Sequence, residues 1–182
     1  MKSVVYSLIA LTIVATVLAS VPVFAQQSSP MTDEHIARIK ANCQSALVTL
    51  GQIRTNEAPV FINRNQTYFS ISDKLMARLN SRLTLNRYDA TQLVQTASNY
   101  NMALAKFRTV YKQYDDSMAE LIRMDCKRQP VGFFDKVTSV RQQRQKVHDT
   151  AVQLKNLIDQ YRQGVDTFRA QHLSQLTGAP RE

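Results

Sequence analysis

The sequence predicts an all-α protein, an elongated antiparallel three-helix bundle of coiled-coil type, and three observations lead there. Gly and Pro are scarce, 4 and 5 in 182 residues. The chain therefore has few places to turn, which disfavours a multi-stranded β-sandwich. Apolar side chains recur at alternating steps of three and four over two long stretches, the spacing of a helical seam. Two cysteines, Cys43 and Cys126, stand almost equally far on either side of the turn that such a layout requires. With 44% hydrophobic and 20% charged residues, the composition is that of a folded chain.

The N-terminus is set aside from the fold. Met1-Lys2 gives a positive start, Val4 to Ala19 is an almost unbroken apolar run, Pro22 breaks it, and Val23-Phe24-Ala25 presents small residues where a signal peptidase reads. Residues 1–25 are read as a signal peptide cleaved after Ala25. No Cys follows that site, which argues against a lipid-anchored lipoprotein. The alternative is an uncleaved N-terminal membrane anchor, since about 20 apolar residues span a bilayer. In either case Lys2 stays inside and the rest is exported, to the periplasm, the cell surface or the medium. Residues 26–31 are expected to be a flexible mature N-terminus, 32–176 the helical domain and 177–182 a flexible tail.

The first helix carries two apolar stripes. Ile36, Ile39, Cys43, Ala46, Leu50 and Ile53 form one; Phe61, Asn65, Tyr68, Phe69, Leu75, Met76, Leu79 and Leu83 form the other. Pro59 lies between them. A proline inside a helix removes a hydrogen bond and clashes with the carbonyl four residues back, so the first helix is expected to be kinked near Pro59, with a kink or short break over 55–59. Splitting the helix there would give a four-helix bundle, the structural alternative.

The second helix is expected from Asp89, which with Gln92 makes a capping-box pattern, to about Asp125. Its seam reads Leu93, Ala97, Tyr100, Leu104, Phe107, Tyr111, Tyr114, Met118 and Leu121. Pro130-Val131-Gly132 is read as the next turn. The third helix then carries Val137, Val140, Arg144, Val147, Ala151, Leu154, Ile158, Tyr161, Val165 and Phe168, where only Arg144 breaks the stripe; its stem can lie on apolar surface while its head stays wet. Gly164 costs about 1 kcal/mol in a helix interior, an amount that packing can outweigh. Thr177-Gly178-Ala179-Pro180 supplies a stop near Leu176. Each arm is about 40 to 45 residues, roughly 65 Å at 1.5 Å per residue, leaving little room for a central pocket.

An even cysteine count in an oxidising compartment reads first as a disulfide, Cys43 to Cys126, at the open end of a hairpin that turns near Leu85 to Tyr88. Two free thiols or a metal pair are the alternatives, but neither Cys has another Cys or a His at ligand spacing. A clamp over so long a loop is worth roughly 4 kcal/mol in the chain-entropy account.

Little of the sequence looks catalytic. His35 falls on the first helix and His148 and His172 on the third, each without a metal-site partner one turn away. There is no nucleophile elbow, glycine-rich phosphate loop or paired-carboxylate signature. The chain is therefore read as a non-enzyme with no cofactor, no metal and no small-molecule substrate. Tyr100, Phe107, Tyr111, Tyr114, Tyr161 and Phe168 follow the seam and are expected in the core, with tyrosine hydroxyls reaching the bundle edge. Asn65-Gln66-Thr67 matches a glycosylation acceptor, relevant only to a eukaryotic secretory pathway.

Charge is the remaining lead, with 23 Lys+Arg against 14 Asp+Glu. Lys74, Arg78 and Arg82 form one stripe leading to Arg87 at the hairpin tip, where the third helix brings Arg169 and His172. Lys74, Arg78, Arg82, Arg87 and Arg169 are the candidate contacts for an anionic partner. Arg141, Arg144 and Lys146 form a second group. Outside the cytoplasm a cationic rod meets an acidic envelope protein, surface polymer or lipid head group. Nucleic acid is disfavoured, because the aromatics that would stack on bases belong to the seam.

Asn42-Cys43 early in the first helix, Arg87-Tyr88-Asp89 before the second, Cys126 at its end and Phe134 opening the third are similar to a group of uncharacterised exported two-cysteine helical proteins of small-genome bacteria. The resemblance covers most of the mature chain and implies fold and compartment, without an activity or a functional residue. The expected role is an exported structural or interaction module of the envelope or extracellular space. The alternatives are a cationic helical holdase and, more remotely, a stress or metal sensor.

Overall fold

The structure, a computed structural model, describes residues 31–177, with side chains to His172. The expected signal peptide, nearly all of the flexible mature N-terminus and most of the 177–182 tail, including the Gly178-Ala179-Pro180 stop, lie outside the described residues. Among those described there is no strand, and three helical arms pack together. No helix among them is long and apolar enough to cross a membrane.

The first arm begins with α1 (Asp33–Ser70). Thr32 caps it by accepting the His35 amide at 3.4 Å, and Asp33 and Glu34 place negative charge at its positive end. The helix takes Pro59 into its interior, so the break expected over 55–59 is absent. The hydrogen bonding changes later, in a π-helical segment (Ile71–Ala77), after which α2 (Arg78–Leu85) completes the arm. Of the second stripe, Phe69 and Leu75 are exposed. Their neighbours Tyr68 and Met76 take the inward positions instead. Adjacent residues on a helix point about 100° apart and cannot share the core.

The second arm is α3 (Thr91–Ile122). It starts later than the capping box implied, because Asp89 accepts the Thr91 amide at 3.0 Å and Ala90 stands at the cap. Its seam is buried from Leu93 to Leu121, except that Tyr111 is half-buried. The third arm is α4 (Pro130–Thr177). Pro130-Val131-Gly132 is not the turn: proline at a helix's first position lacks only an amide that had no partner there. The turn lies just before, where Asp125 Oδ1 accepts the amides of Lys127 and Arg128.

Contacts between the first two arms pair rising with falling numbers. Cys43 meets Cys126 with Cα atoms 5.6 Å apart, a disulfide pairing, and Arg54 grips Asp115 through two bonds of 2.8 and 2.9 Å. Phe61 stacks on Tyr111 at 3.5 Å, and Tyr68 meets Phe107 edge-on at 5.5 Å. The most extensive packing joins α3 to α4. There, a Cβ on Gly164 would lie 2.8 Å from Leu93 Cδ2, so the missing side chain lets the helices close.

Three of the four seam tyrosines keep their hydroxyls inside the bundle. Tyr100 donates to the Tyr68 carbonyl at 3.0 Å, Tyr114 donates to Glu57, and Tyr161 points at Met76 and Asn80. Burial pushes all three hydroxyls up, that of Tyr161 to about 12. A buried hydroxyl must find an acceptor, and here the first arm supplies each one.

Candidate functional site

The end where α2 turns into α3 is held by backbone geometry. The Arg87 amide donates to the Thr84 carbonyl at 3.0 Å, and the Tyr88 amide reaches back to the Leu83 carbonyl at 3.0 Å. These two bonds make a Schellman ending, in which the residue past the cap adopts the left-handed region. Arg87 occupies that position with φ 61°. Glycine would enter it freely, whereas an L side chain costs about 1–2 kcal/mol.

Lys74 sits in the π segment, Arg78 and Arg82 on α2, Arg87 in the turn and Arg169 on α4; all five are exposed. None belongs to an ion pair among the described residues, where pairs such as Lys112–Asp116, Lys136–Glu120 and Lys155–Asp159 lie elsewhere. Tyr88 packs edge-on against Phe168 at 5.4 Å and against His172 at 4.9 Å. That aromatic cluster brings the Arg87 turn to the Arg169 segment of α4. Asp89 is a counter-charge at this tip, its carboxyl held below the usual range by the bond from the Thr91 amide.

A second cationic feature lies where the sequence left little room. An open cleft of about 800 Å³ is walled by α1 and α4 and floored by Phe107, Tyr111 and Tyr114 of α3. Arg64, Arg141, Arg144 and His148 line it, with Glu57 as its acid. Arg144 pairs with Glu57 at 2.5 Å, and Glu57 also accepts the Tyr114 hydroxyl. Arg64 and Arg141 are exposed and take part in no ion pair among the described residues. Of the second basic group only Arg141 and Arg144 line this cleft; Lys146 is exposed outside it.

The cleft shares Tyr114, Arg141 and Arg144 with an apolar groove of about 520 Å³ running toward the cysteine end. On the α1 side its rim is small or polar, with Asn42, Ser45, Ala46 and Thr49, which do not fill the gap to Phe134 and Val137 of α4. No sequence signal marked this groove. It follows from how far α1 stands from α4, and periodicity does not encode that distance.

Asn65 of the glycosylation pattern lies within α1 and accepts Arg108 Nε at 2.6 Å. No group of three metal-ligating side chains is gathered among the described residues. The chain matches no family model, no curated protein and no solved structure.

Proposed function

We propose that the chain is an exported, non-enzymatic interaction module of the cell envelope or extracellular space, an elongated up-down-up three-helix bundle that presents its basic tip to an anionic partner. The antiparallel layout is supported by the rising and falling pairs between the first two arms. It is supported as well by α3–α4 contacts that place Glu120 against Lys136 and Leu93 against Gly164. Any bend of the first arm is assigned to the π segment, where the hydrogen bonding changes, in preference to Pro59. The Cys43–Cys126 pairing fits an oxidising compartment.

The observation that carries the tip reading is Arg87. A cation stands in a left-handed position that glycine would fill without strain, at the end of an arm that carries Lys74, Arg78 and Arg82, exposed and without ion-pair partners among the described residues. Strain of this kind is a pointer to a working residue. The test is crosslinking in the native envelope with Arg78, Arg82 and Arg87 replaced by Ala in a parallel strain. Loss of a crosslinked partner in that strain alone is expected; an unchanged partner set overturns the reading.

The holdase alternative has one observation in its favour: Leu85, Leu75 and Met102 are 81%, 62% and 61% exposed. Suppressed aggregation of an unfolded client at substoichiometric protein, insensitive to salt, would establish that reading over the basic tip.

A further inference from the structure

We propose that the apolar groove and the adjoining cationic cleft form one site for a long-chain fatty acid, with its alkyl chain along the groove and its carboxylate on Arg141. This site lies away from the tip and does not depend on the tip's role.

Four observations lead to that ligand. First, the groove is apolar where it is deep, with Leu50, Ile53 and Met118 among its lining, so its occupant has an apolar body. Second, its length is that of one chain. It follows α1 from Ile39 to Ile53, roughly 20 Å at about 1.5 Å per residue, the length of an extended long-chain fatty acid, and Arg141 and Arg144 stand where it meets the cleft.

Third, the charge at the junction is unbalanced. Glu57 is held by Arg144 and by the Tyr114 hydroxyl, and it is the acid lining the cleft. Arg141 lines both chambers and has no ion-pair partner among the described residues, with Arg64 as a further free cation in the cleft. An anionic head placed there gives Arg141 its missing counter-charge.

Fourth, the head chemistry has a template on the spot. Arg144 already holds a carboxylate across the gap between α1 and α4. The planar guanidinium fork of Arg141, three residues earlier on the same helix, matches a carboxylate in the same way.

The experiment uses protein isolated from the envelope of cells expressing the full chain and then delipidated. Palmitate is titrated below its aggregation limit, with hexadecanol as the uncharged chain and lysophosphatidate as the phosphate-headed one. One palmitate per chain is expected. Arg141→Ala should weaken palmitate at least ten-fold and change hexadecanol less than two-fold. Thr49→Trp, on the exposed rim of α1, should abolish both without altering the helical circular dichroism. Arg87→Gly, at the tip, should leave palmitate affinity unchanged.

No saturable palmitate binding, or binding insensitive to either Arg141→Ala or Thr49→Trp, overturns the proposal. Tighter binding of lysophosphatidate than of palmitate overturns the carboxylate assignment. A dimer in sedimentation that dissociates in Thr49→Trp overturns it as well, by giving the groove to a second copy of the chain.

Discussion

The Tyr161 hydroxyl lies 3.2 Å from the Met76 carbonyl and 2.8 Å from Asn80 Oδ1, so the last helix bonds into the stretch of the first arm where α-helical hydrogen bonding gives way to π. Tyr161→Phe keeps the ring and removes this link. It should lower stability by about 1–3 kcal/mol, the range for stranding a buried acceptor, in urea unfolding, and should raise amide exchange over 71–77. Burial raises the folded pKa of this hydroxyl to about 12. The associated stability is complete below the unfolded value of about 10 and is lost as pH rises through the folded one. Tyr161→Phe should therefore flatten the alkaline limb. An alkaline limb identical to wild type would remove Tyr161 as its cause.

Asp115 governs part of the acid side. The side-chain bond from Arg54 holds its carboxyl below the usual range, against a smaller opposing effect of burial. A depressed carboxylate contributes stability above its unfolded value of about 3.9, and that contribution disappears as pH falls through the folded value. Both partners are partly solvated, with side chains 40% and 30% exposed, so the contribution is held to about 1 kcal/mol or less. Asp115→Asn should cost that much at neutral pH and progressively less as pH falls through the folded value. A loss that stays constant as pH falls would mean that the pair acts through packing alone.

Replacing Cys43 and Cys126 together by Ser should lower stability by about 4 kcal/mol, given the 83 residues that separate them. Exchange should rise first at the start of α1, while the α3–α4 seam keeps its protection. Mass spectrometry without reductant should show the two cysteines linked in protein from its native compartment. Free thiols there would remove the clamp.

Gly164→Ala tests the closest approach of α3 and α4. Helix propensity alone favours alanine by about 1 kcal/mol. A Cβ at that site would stand 2.8 Å from a terminal carbon of Leu93, which is 4% exposed and has little space to retreat. Overpacking a core costs about 1–3 kcal/mol, so a net loss is expected. Shortening Leu93 to Val should recover part of it; stabilisation by Gly164→Ala alone would show that the seam yields freely.

Arg87→Gly separates fold from function at the tip. Removing a side chain from a left-handed position should raise stability by about 1 kcal/mol, with the Schellman ending intact. The same change should weaken binding of the anionic partner proposed for the tip. Higher stability with undiminished binding would mean that Arg87 is strained without a role there.

How much the sequence disclosed varies along the chain for physical reasons. The α3 seam was legible because its period runs undisturbed from Leu93 to Leu121. The first arm was read less well, because Pro59 drew attention while the irregular hydrogen bonding lay at Ile71–Ala77, which has no Gly or Pro to mark it. Phe69 and Leu75, both expected inside, are exposed, because their neighbours Tyr68 and Met76 take the inward positions. The tip cations were readable as a pattern, but the left-handed backbone of Arg87 was not, since glycine is the usual marker of that conformation. The cleft was hidden because its walls come from α1 and α4, and their separation is a property of three arms at once.

The cysteine bridge makes the chain from Cys43 to Cys126 a closed covalent ring, with α2, α3 and the tip inside it and α4 hanging outside on the turn before Pro130. Two protease cuts would then have opposite results. A nick at the 86–90 turn leaves one molecule, its ends still joined through sulfur. A nick between Cys126 and Pro130 cuts α4 from the ring, leaving it held only by non-covalent contacts with α3 and the first arm. The exposed turn that carries the basic end is thus a place where the chain can be severed without coming apart.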